Sequence, residues 1–412
     1  MSAEIRVSTP QPQAPAEGLT LDRFRTIVQD SHLNFLIGAG TSAPFFAPLG
    51  DVEKVLTSLP RNTEEAALAR ASVQRYFFDS VLVPNLRLLA DPLDAEATSL
   101  IKSYARFYVT LNQILLKRRN SLLGKQVNVF TTNVDMVSEV ALERFEIALN
   151  DGFVGKINPR LDLGEISAVR LRQGAHYEYR SEVPTVNLFK LHGSASWRGV
   201  GDDIYFDHGL TLTHDVQAAS TATTEDLLSI SGKDEVDRIK LLAAAKGKTR
   251  TQAVKDFTAV YNRLRIVNPE KTKFANTVLE KTYYELIRRF SNELEKENCV
   301  LFAHGFSFRD EHLLDLVVRA ASSNPTLLVV IFCYDRDSKT SVEAQFPQER
   351  MKNQNIVFVQ PATAAKSEDE RKITLDVLVE DYLSKILGDT LPGADSIIEL
   401  RLATRADGHA HA

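Results

Sequence analysis

Four groups of small and polar residues, each placed directly after a short apolar run, have the types and spacing that chemistry needs. They read Gly38-Ala39-Gly40-Thr41-Ser42, Thr131-Thr132-Asn133-Val134-Asp135, Leu191-His192-Gly193-Ser194 and His304-Gly305-Phe306-Ser307-Phe308-Arg309-Asp310. Glycines let backbone N–H groups approach a phosphate closely. An amide side chain holds a water or a hydroxyl, and a histidine that titrates near neutral pH suits proton removal.

Each group also has a purely structural interpretation. The glycines of 38–42 could form a turn that opens a helix, and the dinucleotide pattern G-x-G-x-x-G is incomplete there. Asp135 and Asp310 could cap the helices that follow them, and His192 could be a satisfied core histidine. Taken singly, each group favours that interpretation. Four groups at equivalent strand ends favour a shared site.

The elements that must position these residues are six short apolar runs. They are LNFLI (33–37), VNVFT (127–131), VNLFK (186–190), CVLFA (299–303), LLVVIFC (327–333) and NIVFV (355–359). Runs that are short, β-branched and not alternating predict strands buried on both faces of a parallel sheet. Amphipathic helices are predicted between them, for example over 277–298 and after Asp135. We therefore expect a doubly wound α/β fold, with a mostly parallel Rossmann-like sheet and ligands at the carboxyl ends of its strands.

The helical face predicted within 277–298 consists of Leu279, Tyr283, Leu286, Ile287, Phe290 and Leu294. Two long segments interrupt the alternation of strands and helices, at about 52–125 and 205–265, and we interpret both as helical insertions that cover the sheet. The basic run at Lys246, Lys248 and Arg250 is expected to be a solvated helix face or loop.

The ends of the chain differ in composition from its middle. Residues 1–18 are rich in Pro, Ala, Ser and Gln, and 389–412, which includes His409 and His411, has a similarly loose composition. We expect disorder in the first segment and a flexible tail in the second. One domain over 19–388, with its two insertions, is the predicted organisation.

Composition narrows the class of protein. The chain has 412 residues and a formal net charge of -5, which gives no electrostatic reason to expect direct nucleic-acid binding. The two cysteines, Cys299 and Cys333, lie in apolar runs and are expected to be buried, and two thiols cannot build a four-cysteine zinc site. No secretory signal or membrane-spanning run is present, so a cytoplasmic protein without membrane association is expected.

The motifs GAGTS, TTNVD, KLHGS and GFSFRDEH, in this order, resemble those of the sirtuin (silent-information-regulator) NAD-binding fold. The last motif is similar to the GxSxxDxH form found in sirtuin-like proteins of bacterial anti-phage defence. The resemblance spans roughly residues 30 to 335 and includes the stretch IVNPEKTKF…YYELIRRF before the last motif.

The resemblance implies roles for individual residues. By it, Gly38, Ala39, Gly40, Thr41 and Ser42 would bind the NAD pyrophosphate and the nearby ribose. Asn133 and Asp135 would line the pocket around the nicotinamide ribose, and His192 would be the general base. Gly305 and Ser307 would contact the adenosine half, with Asp310 also in the cofactor-binding set.

Two departures from the family pattern bear on the reaction. Sirtuin deacylases carry a four-cysteine zinc ribbon, which this chain cannot form, and a Pro-Asp-Phe-Arg-like element follows their GAG motif. The corresponding segment here reads APFFAPLGD, with no arginine before Arg61. Both losses argue against protein deacylation, whereas attack by water on NAD does not depend on them. No metal is expected.

The leading hypothesis is therefore an NAD glycohydrolase that releases nicotinamide and ADP-ribose, with Asn133 and His192 as catalytic residues. The alternatives are an NAD-dependent deacylase or ADP-ribosyltransferase, and a non-catalytic NAD or ADP-ribose sensor. The resemblance further implies a regulated effector of bacterial anti-phage defence that depletes NAD. Homo-oligomerisation and pairing with a DNA-translocating ATPase encoded alongside are expected on the same ground.

Overall fold

The computed structural model describes most of the chain. Its described residues are 21–47, 52–118, 122–174, 180–230, 232, 235–266, 281–361, 371–387, 395 and 397–398. The predictions for the N-terminal 18 residues, for nearly all of the tail 389–412 with its terminal histidines, and for Leu279 lie outside them.

Fourteen helices are found in the described residues, and several begin with a side chain that accepts a hydrogen bond from a free helical N–H group. Thr63, Asp94 and Asp335 are such N-caps. The helices are α1 (Leu21–Asp30), α2 (Val52–Ser58), α3 (Glu64–Phe77), α4 (Asn85–Leu88), α5 (Ala95–Lys117), α6 (Val137–Arg144), α7 (Thr211–Thr221), α8 (Arg238–Ala245), α9 (Gln252–Tyr261), α10 (Lys281–Leu294), α11 (Glu311–Ser323), α12 (Arg336–Glu343), α13 (Leu375–Leu378) and α14 (Ser384–Leu387). Short 3-10 turns lie at Ala39–Thr41, Leu163–Ser167 and Gln348–Arg350, and π-helical turns at Phe78–Leu82 and Val379–Leu383.

All six predicted strands are present in one parallel sheet. Its seven strands have the order β14-β13-β12-β1-β2-β8-β3. They are β1 (His32–Ile37), β2 (Gln126–Thr131), β3 (Ala148–Asn150), β8 (Thr185–Lys190), β12 (Cys299–His304), β13 (Leu328–Phe332) and β14 (Ile356–Val359). Because the chain builds outward from β1 in one direction and then returns to its other side, a switch in strand order lies between β1 and β12.

Helices cover both faces of this sheet. Successive strand residues contribute to different apolar clusters: Phe35 packs with α5 and α6, whereas Leu36 packs with α10 and α11. Val300 and Leu301 of β12 divide in the same way. The doubly wound α/β architecture predicted from the apolar runs is therefore confirmed.

A ladder of asparagines crosses the centre of the sheet. Asn34, Asn128 and Asn187 lie side by side on β1, β2 and β8. The Asn128 amide donates to Asn34 Oδ1 at 2.8 Å, and the Asn187 amide donates to Asn128 Oδ1 at 2.9 Å. These two hydrogen bonds form only in this register, so they align the three strands.

A second sheet, which the apolar pattern did not predict, lies beside the first. Its five antiparallel strands have the order β11-β9-β10-β5-β4, and a separate pair joins β6 to β7. The strands are β4 (Phe153–Val154), β5 (Arg160–Leu161), β6 (Leu171–Gln173), β7 (Arg180–Glu182), β9 (Gly193–Val200), β10 (Asp203–Phe206) and β11 (Leu264–Ile266). Most of these strands have two to four residues, too few to show a hydrophobic period.

The two helical insertions pack against each other. Val52, Leu56 and Val73 of the first form a small buried cluster with Val236 and Leu241 of the second. The basic run of the second insertion lies in the exposed turn between α8 and α9, where Arg250 forms an ion pair with Glu64 at 2.9 Å. Cys299 and Cys333 are buried free thiols, as expected. Among the described helices, none is long and apolar enough to cross a membrane.

Candidate functional site

The register of four neighbouring strands brings their carboxyl ends level with one another. Ile37 of β1 lies beside Thr131 of β2 and His304 of β12, and Thr131 lies beside Lys190 of β8. The four loops that carry the candidate residues therefore start at the same edge of the sheet. This is the edge where open α/β sheets bind their ligands.

The two glycine-bearing loops on either side of the switch point touch through their backbones. A Cβ atom on Gly38 would lie 2.4 Å from the carbonyl oxygen of Gly305, and one on Gly305 would lie 2.3 Å from the Thr41 nitrogen. The Gly38 N–H donates to the His304 carbonyl, and the Gly40 N–H donates to the Gly305 carbonyl. These two N–H groups are therefore bonded to protein carbonyls and are not exposed to a pyrophosphate. Gly38 and Gly40 instead allow the two loops to pack closely.

His304, the last residue of β12, links the 38–42 loop to a later part of the chain. Its Nδ1 lies 2.9 Å from the Thr41 hydroxyl, and its Nε2 lies 3.2 Å from the Ile373 carbonyl. Because a carbonyl can only accept, Nε2 carries the proton in the neutral ring. Burial lowers the pKa of His304 to about 4, so the ring is neutral at physiological pH.

Ser42 links the first loop to the second. Its hydroxyl donates to Asp135 Oδ2 at 3.3 Å, so the Tyr104 hydroxyl, 2.7 Å away, must be the donor to Ser42. Asn133 Nδ2 approaches the same Ser42 oxygen at 3.4 Å. The other Asp135 oxygen accepts from the Val137 N–H at the first residue of α6, but the N-cap of that helix is Met136, so Asp135 lies one residue before the cap position expected for it.

Asn133 presents a buried acceptor to this edge of the sheet. Its Nδ2 donates to the Gly38 carbonyl at 3.2 Å, which fixes the orientation of the amide because a carbonyl cannot donate. Its Oδ1 is buried and accepts no hydrogen bond within the described residues. Such an acceptor costs about 1–3 kcal/mol unless a donor reaches it, so Oδ1 is suited to a hydroxyl or a water.

A buried lysine holds the loop that carries Asn133. The Lys190 ammonium donates to the backbone carbonyls of Asn133 and Asp135 and forms an ion pair with Glu139 at 3.2 Å. Burial raises the pKa of the Glu139 carboxyl to about 7, against the opposing effect of Lys190. Lys190 thus connects the end of β8 to the 132–135 loop.

His192 and Asp310 meet at the edge of the site. Asp310 Oδ2 lies 3.3 Å from His192 Nε2, and the side chains of His192 and Asp310 are 16 % and 15 % exposed. Asp310 Oδ1 meanwhile accepts from the Leu313 N–H and caps α11, as its position predicts. A carboxylate beside Nε2 favours the ring form with Nε2 protonated, which leaves Nδ1 as the basic nitrogen.

The loop that carries Asp310 is anchored by an aromatic residue in an unusual conformation. Phe308 is fully buried at φ 55, a left-handed backbone that costs a residue with a Cβ about 1 kcal/mol or more. Its ring packs between those of Phe306 and Phe346. Neighbouring Ser307 is exposed in the same loop. Strain held in this way is typical of loops that present functional groups.

The predicted residues therefore form two groups at one edge. The first contains the 38–42 loop, Asn133, Asp135 and Gly305, and the second is the pair of His192 with Asp310. Three contributing residues were not predicted: Tyr104 and Glu139 come from helices without a motif, and Lys190 lies inside KLHGS but was not assigned a role.

No three His, Cys, Asp or Glu side chains of the described residues are grouped so as to hold a metal ion. No family model matches the chain, and no curated protein matches it.

Proposed function

We propose that this chain is a sirtuin-like NAD glycohydrolase, which cleaves NAD to nicotinamide and ADP-ribose. The observation that carries the proposal is the buried acceptor Asn133 Oδ1, which shares one edge of the sheet with the His192–Asp310 pair and the packed glycine loops. That combination supplies a partner for a sugar hydroxyl or water on the same edge of the sheet as a group that takes up a proton.

In the proposed reaction, the bond between the nicotinamide nitrogen and C1 of its ribose breaks, and nicotinamide leaves with the bonding electron pair as a neutral molecule. A water oxygen forms the new bond to C1, which passes through an oxocarbenium-like state. The proton lost by the water goes to His192, and Asp310 stabilises the resulting imidazolium. Asn133 Oδ1 accepts from the water or from a ribose hydroxyl and so orients the attack.

The test is incubation of the purified protein with NAD and chromatographic separation of the products. Asn133→Ala and His192→Ala should release no nicotinamide, whereas His214→Ala, which alters an exposed histidine on α7, should match the native protein. Thermal unfolding of each variant separates loss of chemistry from loss of fold. Full activity in both site variants would reject the assignment of these residues.

The same experiment distinguishes other uses of the pocket. With an acylated peptide present, an acyl-ADP-ribose product would replace the proposal with deacylation, and ADP-ribose attached to protein would replace it with transfer. Binding of NAD without release of nicotinamide, across all conditions tested, would identify a sensor instead.

We further propose a cytoplasmic effector of anti-phage defence whose activity is controlled, because unrestrained loss of NAD would harm its own cell. Self-association, and pairing with a DNA-translocating ATPase, are the proposed forms of control. The packed insertions, which meet through the Val52–Val236 cluster, are the surface we expect to be used. Light scattering after size exclusion tests self-association, and a mass of 46.0 kDa would count against it.

A further inference from the structure

A cavity lined by three arginines lies in the second sheet, away from the candidate site. It encloses about 220 Å³ between β9, α7 and the start of β11. Its lining residues are Arg198, Gly199, Leu212, Asn262, Arg263 and Arg265. Arg198 is six residues along the extended chain from His192, which corresponds to roughly 20 Å.

The charges around this cavity are unbalanced. Arg263 has one distant carboxylate, Asp215, at 3.9 Å, and both side chains are largely exposed. Arg198 contacts the neutral Asn158 Oδ1 at 3.4 Å and lies over the Tyr205 ring. Within the described residues, Arg265 has no carboxylate partner. Three arginines therefore line the cavity with one weakly held acid nearby, which leaves an excess of positive charge among the described residues.

The position of the Arg265 guanidinium depends on the absence of a side chain at residue 199. A Cβ on Gly199 would lie 2.0 Å from Arg265 Nε and 2.6 Å from its Cζ. The guanidinium therefore lies against the β9 backbone at Gly199. Buried Leu212 forms an apolar wall of the same cavity, so this is a formed concave site.

We propose that this cavity binds a phosphate or diphosphate group of a small molecule. The planar guanidinium fork matches phosphate oxygens with two parallel hydrogen bonds, and an arginine pinned against backbone loses little freedom on binding. The volume is below the range of about 300–1,000 Å³ that holds a whole drug-sized ligand, so it suits the phosphoryl group and its nearest atoms.

A small anion fits these observations better than the backbone of a nucleic acid does. The site is a local concavity of about 220 Å³ that is partly open to solvent, whereas nucleic-acid backbones bind along extended basic surfaces. An acidic side chain also lies near it: Asp215 on α7 is 3.9 Å from Arg263. The chain as a whole carries a formal charge of -5. The proposal does not rest on the NAD reaction, since it concerns other residues on another sheet.

Calorimetric titration of the full chain with pyrophosphate, inorganic phosphate and a phosphomonoester such as glycerol phosphate tests the proposal. Arg265→Gln should weaken pyrophosphate binding about tenfold or more, because that is the contribution expected from hydrogen bonds to a charged group. Gly199→Ala should do the same without any change of charge, because it displaces the guanidinium. Arg160→Gln is the matched control: it removes one positive charge from the same sheet outside the cavity, and should leave binding unchanged.

The relative affinities for the three probes identify the source of the phosphoryl group. A preference for the monoester or pyrophosphate indicates a metabolite, and a preference for inorganic phosphate indicates the free ion. No binding of any probe to the native protein would overturn the proposal, as would equal weakening in Arg160→Gln and Arg265→Gln. Tight binding of a single-stranded oligonucleotide that pyrophosphate cannot displace would overturn it in favour of a nucleic-acid surface.

Discussion

The carboxylate of Asp310 serves His192 and a helix at the same time, with Oδ2 at 3.3 Å from the imidazole Nε2 and Oδ1 on the Leu313 N–H of α11. One side chain thus ties the orientation of the proposed base to the start of a core helix. The two roles make different demands, because the helix needs only an acceptor, whereas the imidazolium formed in the proposed reaction needs a negative charge.

The substitution Asp310→Asn separates these demands. Asparagine is as good an N-cap residue as aspartate, so we expect the free energy of unfolding to stay within about 1 kcal/mol of the native value. The rate constant kcat for nicotinamide release should fall about 100-fold, because proton transfer to His192 loses its stabilising charge, while KM for NAD changes little.

Asp335→Asn is the control for that measurement, since it makes the same change at the N-cap of α12, away from His192. It should leave kcat unaltered. An unchanged kcat in Asp310→Asn would show that the carboxylate does not assist the base.

Replacement of Lys190 by Met should disturb the Asn133 loop and the ion pair together. An isolated buried charge costs about 3–5 kcal/mol, so Glu139, whose pKa burial already raises to about 7, should take up a proton in response. We expect lower thermal stability and loss of nicotinamide release.

The double variant Lys190→Met/Glu139→Gln removes the ionisable carboxyl as well, without restoring the hydrogen bonds to the Asn133 and Asp135 carbonyls. Its melting temperature should rise above that of the single variant while activity stays absent. Recovery of both would mean that Lys190 acts only through charge. Lys296→Met, which breaks the exposed pair with Glu293, should cost no more than about 1 kcal/mol.

Gly305→Ala and Gly201→Ala form a matched pair at nearly the same backbone conformation. Gly305 has φ 64, and a Cβ at this residue would lie 2.3 Å from the Thr41 nitrogen. Gly201 has φ 61, and a Cβ there would have no atom within 4 Å. Conformational strain alone should cost each about 1–2 kcal/mol.

Gly305→Ala should lose further stability, because the added methyl forces the two glycine loops apart, and it should abolish nicotinamide release. Chemical denaturation and the NAD assay measure both effects. Equal losses in the two variants would show that contact between the loops contributes nothing beyond backbone strain.

His304 should make the protein sensitive to acid. Its folded pKa of about 4 lies below the ordinary value of 6.5, so the unfolded chain binds the proton more readily. The stabilising contribution is therefore complete above pH 6.5 and is lost as the pH falls towards 4. The full difference is on the order of 3 kcal/mol.

Denaturation curves of the native protein and of His304→Gln, recorded across this pH range, provide the test. The difference in the free energy of unfolding between the native protein and His304→Gln should decrease by about 3 kcal/mol as the pH falls from above 6.5 to below 4. His214→Gln, at an exposed position, should follow the native curve, and a constant offset between the native protein and His304→Gln would contradict the prediction.

The six strands and the meeting of their loops were predictable because continuous apolar runs report strands buried on both faces. Tyr104 was not, because it reaches Ser42 from α5 in an insertion 62 residues further along the chain, and no local pattern encodes that contact. The pairing of His192 with Asp310 was also missed, although each had been singled out. A sequence shows two residue types, but not the distance between them.

The sequence does contain a signal for the alignment of three strands. The runs LNFLI, VNVFT and VNLFK all have asparagine as their second residue, and these are the three amides that join β1, β2 and β8. An asparagine inside an apolar strand is costly unless it has partners, so the repetition itself indicates neighbouring strands in matched register.

That ladder has a consequence for how the chain can change over time. Asn34, Asn128 and Asn187 each lie three residues, or about 10 Å, before the strand end where the loops begin. A strand that slipped by one residue would bury an unpartnered amide and would also move its loop out of line with the others. The positions at which the loops begin are therefore set by residues inside the sheet, outside the candidate site. Loop side chains outside the packed glycines can therefore change without moving the points at which the loops begin, because the interior of the sheet fixes those points.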